Sequence, residues 1–168
     1  MRSQTVRATQ SGWATNPDAA KGAPTVSGRL VDGQAELTSG KYTWHADLPS
    51  SLGGTGAAPS PTQLLLGALA GCAVAFIYDT LAPQLDIELK DVRAVARCKT
   101  DARGLLGMED ARPDLMDIEL EITVDWSGPA DRLRALEQTW LDRCPIYLAI
   151  TKANPVSVRL TPAERAPE

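Results

Sequence analysis

From Leu48 to Tyr78 the chain runs 31 residues without a charged side chain. The first part, LPSSLGGTGAAPSP, is dense in Gly, Pro and Ser and reads as an irregular crossing. The second part opens on Ser60-Pro61, serine as N-cap with proline at the first helical position, and reads as a helix to about Ala82. A helix that is apolar all round has to be covered all round. Gly67, Gly71 and Ala75 recur every fourth residue along it, a strip of small side chains where a second backbone can come close. The chain has 168 residues, the length of one domain, and a domain that size buries roughly 70% of its unfolded surface. One helix enclosed on every side is hard to build from so small a unit, so the sequence calls for a second copy of the chain to cover part of it.

The rest of the pattern separates strands from helices and predicts an α+β fold with its core in residues 26–160. Residues 10–25 are rich in turn formers, so 1–25 read as loop, and 161–168 as a polar, fraying end. Val26–Val31 and Gln34–Thr38 flank Asp32-Gly33, the dipeptide of a two-residue type I′ hairpin. That turn sets Val31 against Gln34, Leu30 against Ala35 and Arg29 against Glu36, a cross-strand ion pair worth about 0.2–1 kcal/mol. Lys41–Ala46 forms a third strand. Ile87–Lys99 is mixed, with a break near Lys90-Asp91. Ile118, Leu120, Ile122, Val124 and Trp126 alternate cleanly with polar residues as a half-buried strand. Ser127 is placed to cap a helix with Leu133, Leu136, Trp140 and Leu141 on its apolar face, and Val156, Val158 and Leu160 read as a last strand.

Several function classes are disfavoured. The formal net charge is −4 with no basic cluster, which argues against a nucleic-acid surface. The N-terminus MRSQTVRATQSGW has no apolar run, so no signal peptide is expected. The longest nearly continuous apolar stretch, Leu64–Tyr78, falls short of the ~20 residues of a membrane span. Three cysteines at long, unequal spacings do not make a secreted disulfide framework, and a cytoplasmic protein is expected. With His45 the only histidine and no close cysteine pair, a zinc site built from it and the three cysteines is disfavoured.

The cysteines are the candidates for chemistry. Cys72 lies in mid-helix with Leu65, Ala68, Leu69 and Phe76, where a thiol serves equally as a small core hydrophobe. Cys144 continues the apolar face of the last helix. If Pro145 starts a new helix, Cys144 becomes its N-cap, where the dipole and Arg143 favour thiolate. Cys98 reads as a buried structural residue and His45 as solvated.

The segment LPSSLGGTGAAPSPTQLLLGALAGC, followed about 70 residues later by RCPIY, resembles the OsmC/Ohr family of thiol-dependent hydroperoxide-detoxifying proteins, over roughly Gly28–Leu160. The resemblance implies antiparallel sheets around a buried central helix in an intertwined homodimer, with the sites at the subunit interface. It makes Cys72 the peroxidatic cysteine and Cys144 the resolving one, with Arg29 the nearest match to the activating arginine. It puts Thr62 and Gln63 at substrate-binding positions. The implied substrate is an alkyl or lipid hydroperoxide, the reductant a dithiol or lipoylated protein, and no metal or flavin cofactor takes part. The family pattern carries a glutamate just after the helix-opening proline; here that position is Thr62. The alternative within the same fold is a non-enzymatic dimer that binds a small apolar ligand or senses redox state through its thiols.

Overall fold

The computed structural model describes residues 1–162; the polar end expected at 161–168 lies outside them from residue 163 on. Asp32 and Gly33 both take positive φ, 49° and 81°, as a type I′ turn requires. The turn joins β1 (Ser27–Val31) to β2 (Gln34–Ser39), and β3 (Tyr42–Ala46) pairs with β2 on its other side. The register sets Arg29 opposite Glu36 and Leu30 opposite Ala35, as the turn dictates.

The crossing leads into α2 (Pro61–Phe76), whose start is closed by a reciprocal cap. The Gln63 amide donates to Ser60 Oγ at 3.3 Å, and Gln63 Oε1 accepts from the Ser60 amide at 2.8 Å. The helix passes through one π turn (Ile77–Leu81) into α3 (Ala82–Gln84). Pro83 supplies a reason for the wide turn, since its ring crowds the carbonyl four residues back and it has no amide hydrogen to donate. The whole spans Pro61–Gln84, 24 residues with a mean hydropathy of 1.9 over an 18-residue window, longer than the apolar stretch read from the sequence. By length and composition it could cross a membrane; here Leu69, Ala73, Ile77 and Leu81 are buried against the rest of the chain.

β4 (Asp91–Lys99) and β5 (Met116–Asp125) form a second, two-stranded antiparallel sheet, joined through the short helix α4 (Ala102–Leu105). Val92, Ala94 and Ala96 of β4 and Ile118, Leu120, Ile122 and Val124 of β5 face the core around α2. α5 (Ala130–Arg143) adds Leu136 and Trp140, and α6 (Pro145–Thr151) follows it directly. Sheets and helices thus segregate into an α+β architecture.

Four local expectations need correction. The N-terminal residues expected as loop carry α1 (Arg2–Thr15) and a 3-10 turn (Pro17–Ala20). No residue of α1 is buried; it is held by Arg7 on both oxygens of Asp86 at 2.6 and 2.7 Å, and by Arg2, which pairs with Asp79 and lies 4.4 Å over the Tyr78 ring. Ser127 caps nothing, because Pro129, held extended at φ −64° and ψ 137°, is the N-cap of α5. Val156, Val158 and Leu160 form no strand; a strand needs a sheet edge to pair with, and here these residues are exposed. Cys98 is half-buried instead of buried, since it sits at the register break between Arg97 and Lys99, beyond the part of β4 that packs on the core.

Candidate active site

Two elements far apart in sequence deliver the two thiols. Cys72 projects from the middle of α2, and Cys144 is the single non-helical residue between α5 and α6, at φ −69° and ψ 113°. Their sulfurs lie 2.9 Å apart, in contact but unbonded, against about 2.05 Å for a disulfide. Cys144 is fully buried and Cys72 half-buried.

Cys144 closes one helix and opens the next. Its amide donates to Trp140 O at 2.8 Å, its carbonyl accepts from Leu148 at 3.0 Å, and its sulfur accepts the Tyr147 amide at 3.5 Å. The Ile146 amide reaches the Cys72 sulfur and favours thiolate there. Burial outweighs it, and the neighbouring Cys144 adds to burial, so the Cys72 thiol is pushed up to about 11. Among the described residues, the cation that a reactive thiolate needs is therefore not one of the groups acting on Cys72.

Arg29 does not reach the thiols in this chain. It lies on the edge strand β1, its side chain 74% exposed, with Nη2 2.6 Å from Glu36 Oε1; His45 Nε2 stands 3.9 Å from the other Glu36 oxygen. Thr62 and Gln63 occupy the first turn of α2, about 15 Å along the axis from Cys72, and Gln63 is engaged in the helix cap. The structure thus joins Cys72 to Cys144 and leaves Arg29, Thr62 and Gln63 apart from them. Among the described residues no group of three or more His, Cys, Asp or Glu side chains converges on a metal-sized point.

An apolar cleft of about 490 Å³ opens between the central helix, β5, α5 and α6; neither Cys72 nor Cys144 lines it. Leu69, Leu120, Ile122, Leu136, Trp140 and Tyr147 line it, with Glu137 and Thr151 as its polar groups. Leu69 stands three residues before Cys72, and the Trp140 and Tyr147 rings, 5.3 Å between centroids, flank Cys144 in sequence.

Sequence reasoning missed Asp47. It is the one buried charged side chain among the described residues, and it organises the whole Gly-rich crossing. Its carboxylate accepts from the Leu48 amide at 2.7 Å, the Thr55 hydroxyl at 2.5 Å and the Thr55 and Ala57 amides at 3.1 Å. The Thr55 hydroxyl, helped by the three amides and opposed by burial, holds this carboxyl down at about 2. Gly54 is required there, because a Cβ would fall 2.0 Å from Leu48 O and 2.6 Å from Asp47 Oδ1. The available signal was an aspartate facing a Thr and a run of free amides eight to ten residues on.

A paired dithiol on an α+β scaffold, one sulfur from a central helix and the other from a helix junction, defines a class of thiol proteins. Residues 54–159 match the family model described as OsmC-like protein, and the chain belongs to that family. No curated protein sequence matches. Among solved structures, the chain is similar to an OsmC-like protein from Mycoplasma pneumoniae, at 16% identity and a TM-score of 0.66 over 78% of this chain and 89% of that one. A putative osmotic stress induced and detoxification response protein from Psychrobacter arcticus matches at 20% and 0.59, over 76% and 88%. An organic hydroperoxide resistance protein OsmC from Legionella pneumophila matches at 20% and 0.52, over 77% and 89%. At these identities the likeness establishes the fold.

Proposed function

We propose that this protein reduces organic hydroperoxides with its own dithiol. The observation that carries the reading is the 2.9 Å contact between the Cys72 and Cys144 sulfurs, with chain neighbours of both, Leu69, Trp140 and Tyr147, lining an apolar cleft. The Cys72 thiolate attacks the terminal peroxide oxygen, the O–O bond breaks, and the alkoxide leaves and takes a proton as the alcohol. Cys72 is left as sulfenic acid. Cys144 then displaces water from that sulfur and forms the disulfide, and an external dithiol or lipoylated protein returns two electrons and two protons. The apolar lining suits an alkyl or lipid chain better than hydrogen peroxide.

In this reading the working unit is a homodimer. Only 22% of the most apolar stretch of the central helix is buried in one chain, and Cβ atoms built on Gly67 and Gly71 would meet nothing within 4 Å. Val156, Val158 and Leu160 alternate as a strand does and lack a sheet to join. A second copy supplies cover for both. It also brings the exposed Arg29 of one chain, aimed by Glu36, to the thiols of the other, and so provides the missing cation. A reducing, cytoplasmic setting follows from a dithiol that must be recycled.

Stopped-flow consumption of cumene hydroperoxide and of hydrogen peroxide, with a lipoyl or dithiol reductant, tests the reading. Preferential turnover of cumene hydroperoxide, lost in Cys72→Ser, supports it. Absence of turnover with an intact dimer favours the thiol sensor, and rapid turnover by a monomer refutes the shared site.

A further inference from the structure

The C-terminal end of the central helix gathers side chains from two other helices. Arg7 of α1 pairs with Asp86, and Arg132 of α5 donates to Leu85 O. Gln84 is bonded on both sides: its Nε2 donates to Gln10 Oε1 of α1 at 3.5 Å, and its Oε1 accepts from Arg143 Nη1 at 3.0 Å. Arg143 has no carboxylate within ion-pair distance among the described residues, so a neutral amide oxygen is what fixes its guanidinium. Arg143 is the last residue of α5, and the next residue is Cys144.

We infer that Gln84, seated by α1, is a positioning residue that holds Cys144 against Cys72. The inference rests on the dithiol reading above and extends it to α1, which precedes the family-matched residues 54–159. Cys144 is the pivot between two helices, so small rotations at the end of α5 swing its sulfur. α5 is tied to the central helix at one end through Arg132 and at the other through Arg143. The second tie lies one residue from the sulfur, and Cys72 belongs to the same continuous helix as Gln84. Gln84 therefore anchors both thiols to one rigid body, and Gln10 keeps its amide turned so that the oxygen faces Arg143. An exposed hydrogen bond of this kind contributes little to global stability. Its effect falls on the effective concentration of one thiol at the other.

The test is the exchange of the full-length dithiol with glutathione disulfide, which yields the Cys72–Cys144 disulfide and two glutathione molecules. A Cys98→Ser background and acid-quenched peptide mapping isolate this pair. Gln84→Ala should lower the equilibrium constant about fivefold, the scale of one ordinary hydrogen bond. Gln10→Ala should lower it less, and Gln84→Glu, which keeps an acceptor for Arg143, should restore it. A merely structural role would change the melting temperature in step with the constant and would not distinguish Gln84→Glu from Gln84→Ala. An unchanged constant in Gln84→Ala, or no rescue by Gln84→Glu, overturns the inference. Because the exchange uses no peroxide, failure of the peroxidase reading leaves this result readable on its own.

Discussion

Cys72 is the residue whose state decides the chemistry. Within one chain its thiol stands at about 11, and a guanidinium from a second copy would bring it down. Alkylation of Cys72 by iodoacetamide, followed against pH in the dimer, should show an apparent pKa well below 11 that returns towards that value in Arg29→Ala. An unchanged profile would make Arg29–Glu36 a surface pair only. In Arg29→Ala the sign of the stability effect also follows. The unfolded thiol titrates near 9 and the folded one near 11, so this contribution is intact below pH 9 and is lost as pH rises through 11. Asp47 has the opposite sign. Its carboxyl is held at about 2 against an ordinary 3.8, so its contribution is intact above pH 4 and is lost as pH falls through 2. Acid unfolding of Asp47→Asn should therefore start from a lower melting temperature and show a shallower decline between pH 4 and 2. Asp47 was invisible in the sequence because nothing local says that four donors converge on it. The Arg29–Glu36 pairing was legible because two turn residues fix every register position beyond them.

Elements were legible where their ends are chemically marked. Ser60-Pro61 announces α2, and Cys144-Pro145 offered a start that the structure has as α6; the reciprocal bond from Gln63 was not read in advance. α1 carries no such mark: its sequence has no apolar face, and its anchors, Asp79 and Asp86, lie more than 70 residues away. The final strand failed for a related reason, since pairing is a property of two segments and alternation describes one. The junction between α5 and α6 offers a direct experiment. Proline is tolerated in the first turn of a helix, where it removes an amide hydrogen and little else. Ile146→Pro should therefore keep α6 but delete the donor to the Cys72 sulfur, raising the apparent pKa of Cys72 and slowing its oxidation at neutral pH, whereas Ile146→Val should leave both near wild type. Equal behaviour of the two variants would show that the amide has no such effect.

For the molecule as a whole, the uncovered central helix is the dominant fact. It was also the clearest message of the sequence, because 31 uncharged residues leave few ways to satisfy water. Gly71 separates the two possibilities cleanly. In a lone chain its position is open, and Gly71→Leu would stabilise the helix by about 0.5–1 kcal/mol through propensity. Packed against a second copy, the same change would cost about 1–3 kcal/mol and push the subunits apart. Sedimentation and thermal unfolding of Gly71→Leu should show a weakened, less stable dimer, and a more stable monomer would refute the paired arrangement.

Cys144 joins two ledgers that proteins usually keep separate. Its sulfur takes part in the electron traffic proposed for the pair, and the same atom receives the Tyr147 amide that begins α6. A sulfur drawn into a bond with Cys72 should accept from that amide less well. The oxidation state of the thiols should then be readable in the backbone, as faster exchange of the Tyr147 amide hydrogen in the disulfide form, with no reagent touching sulfur.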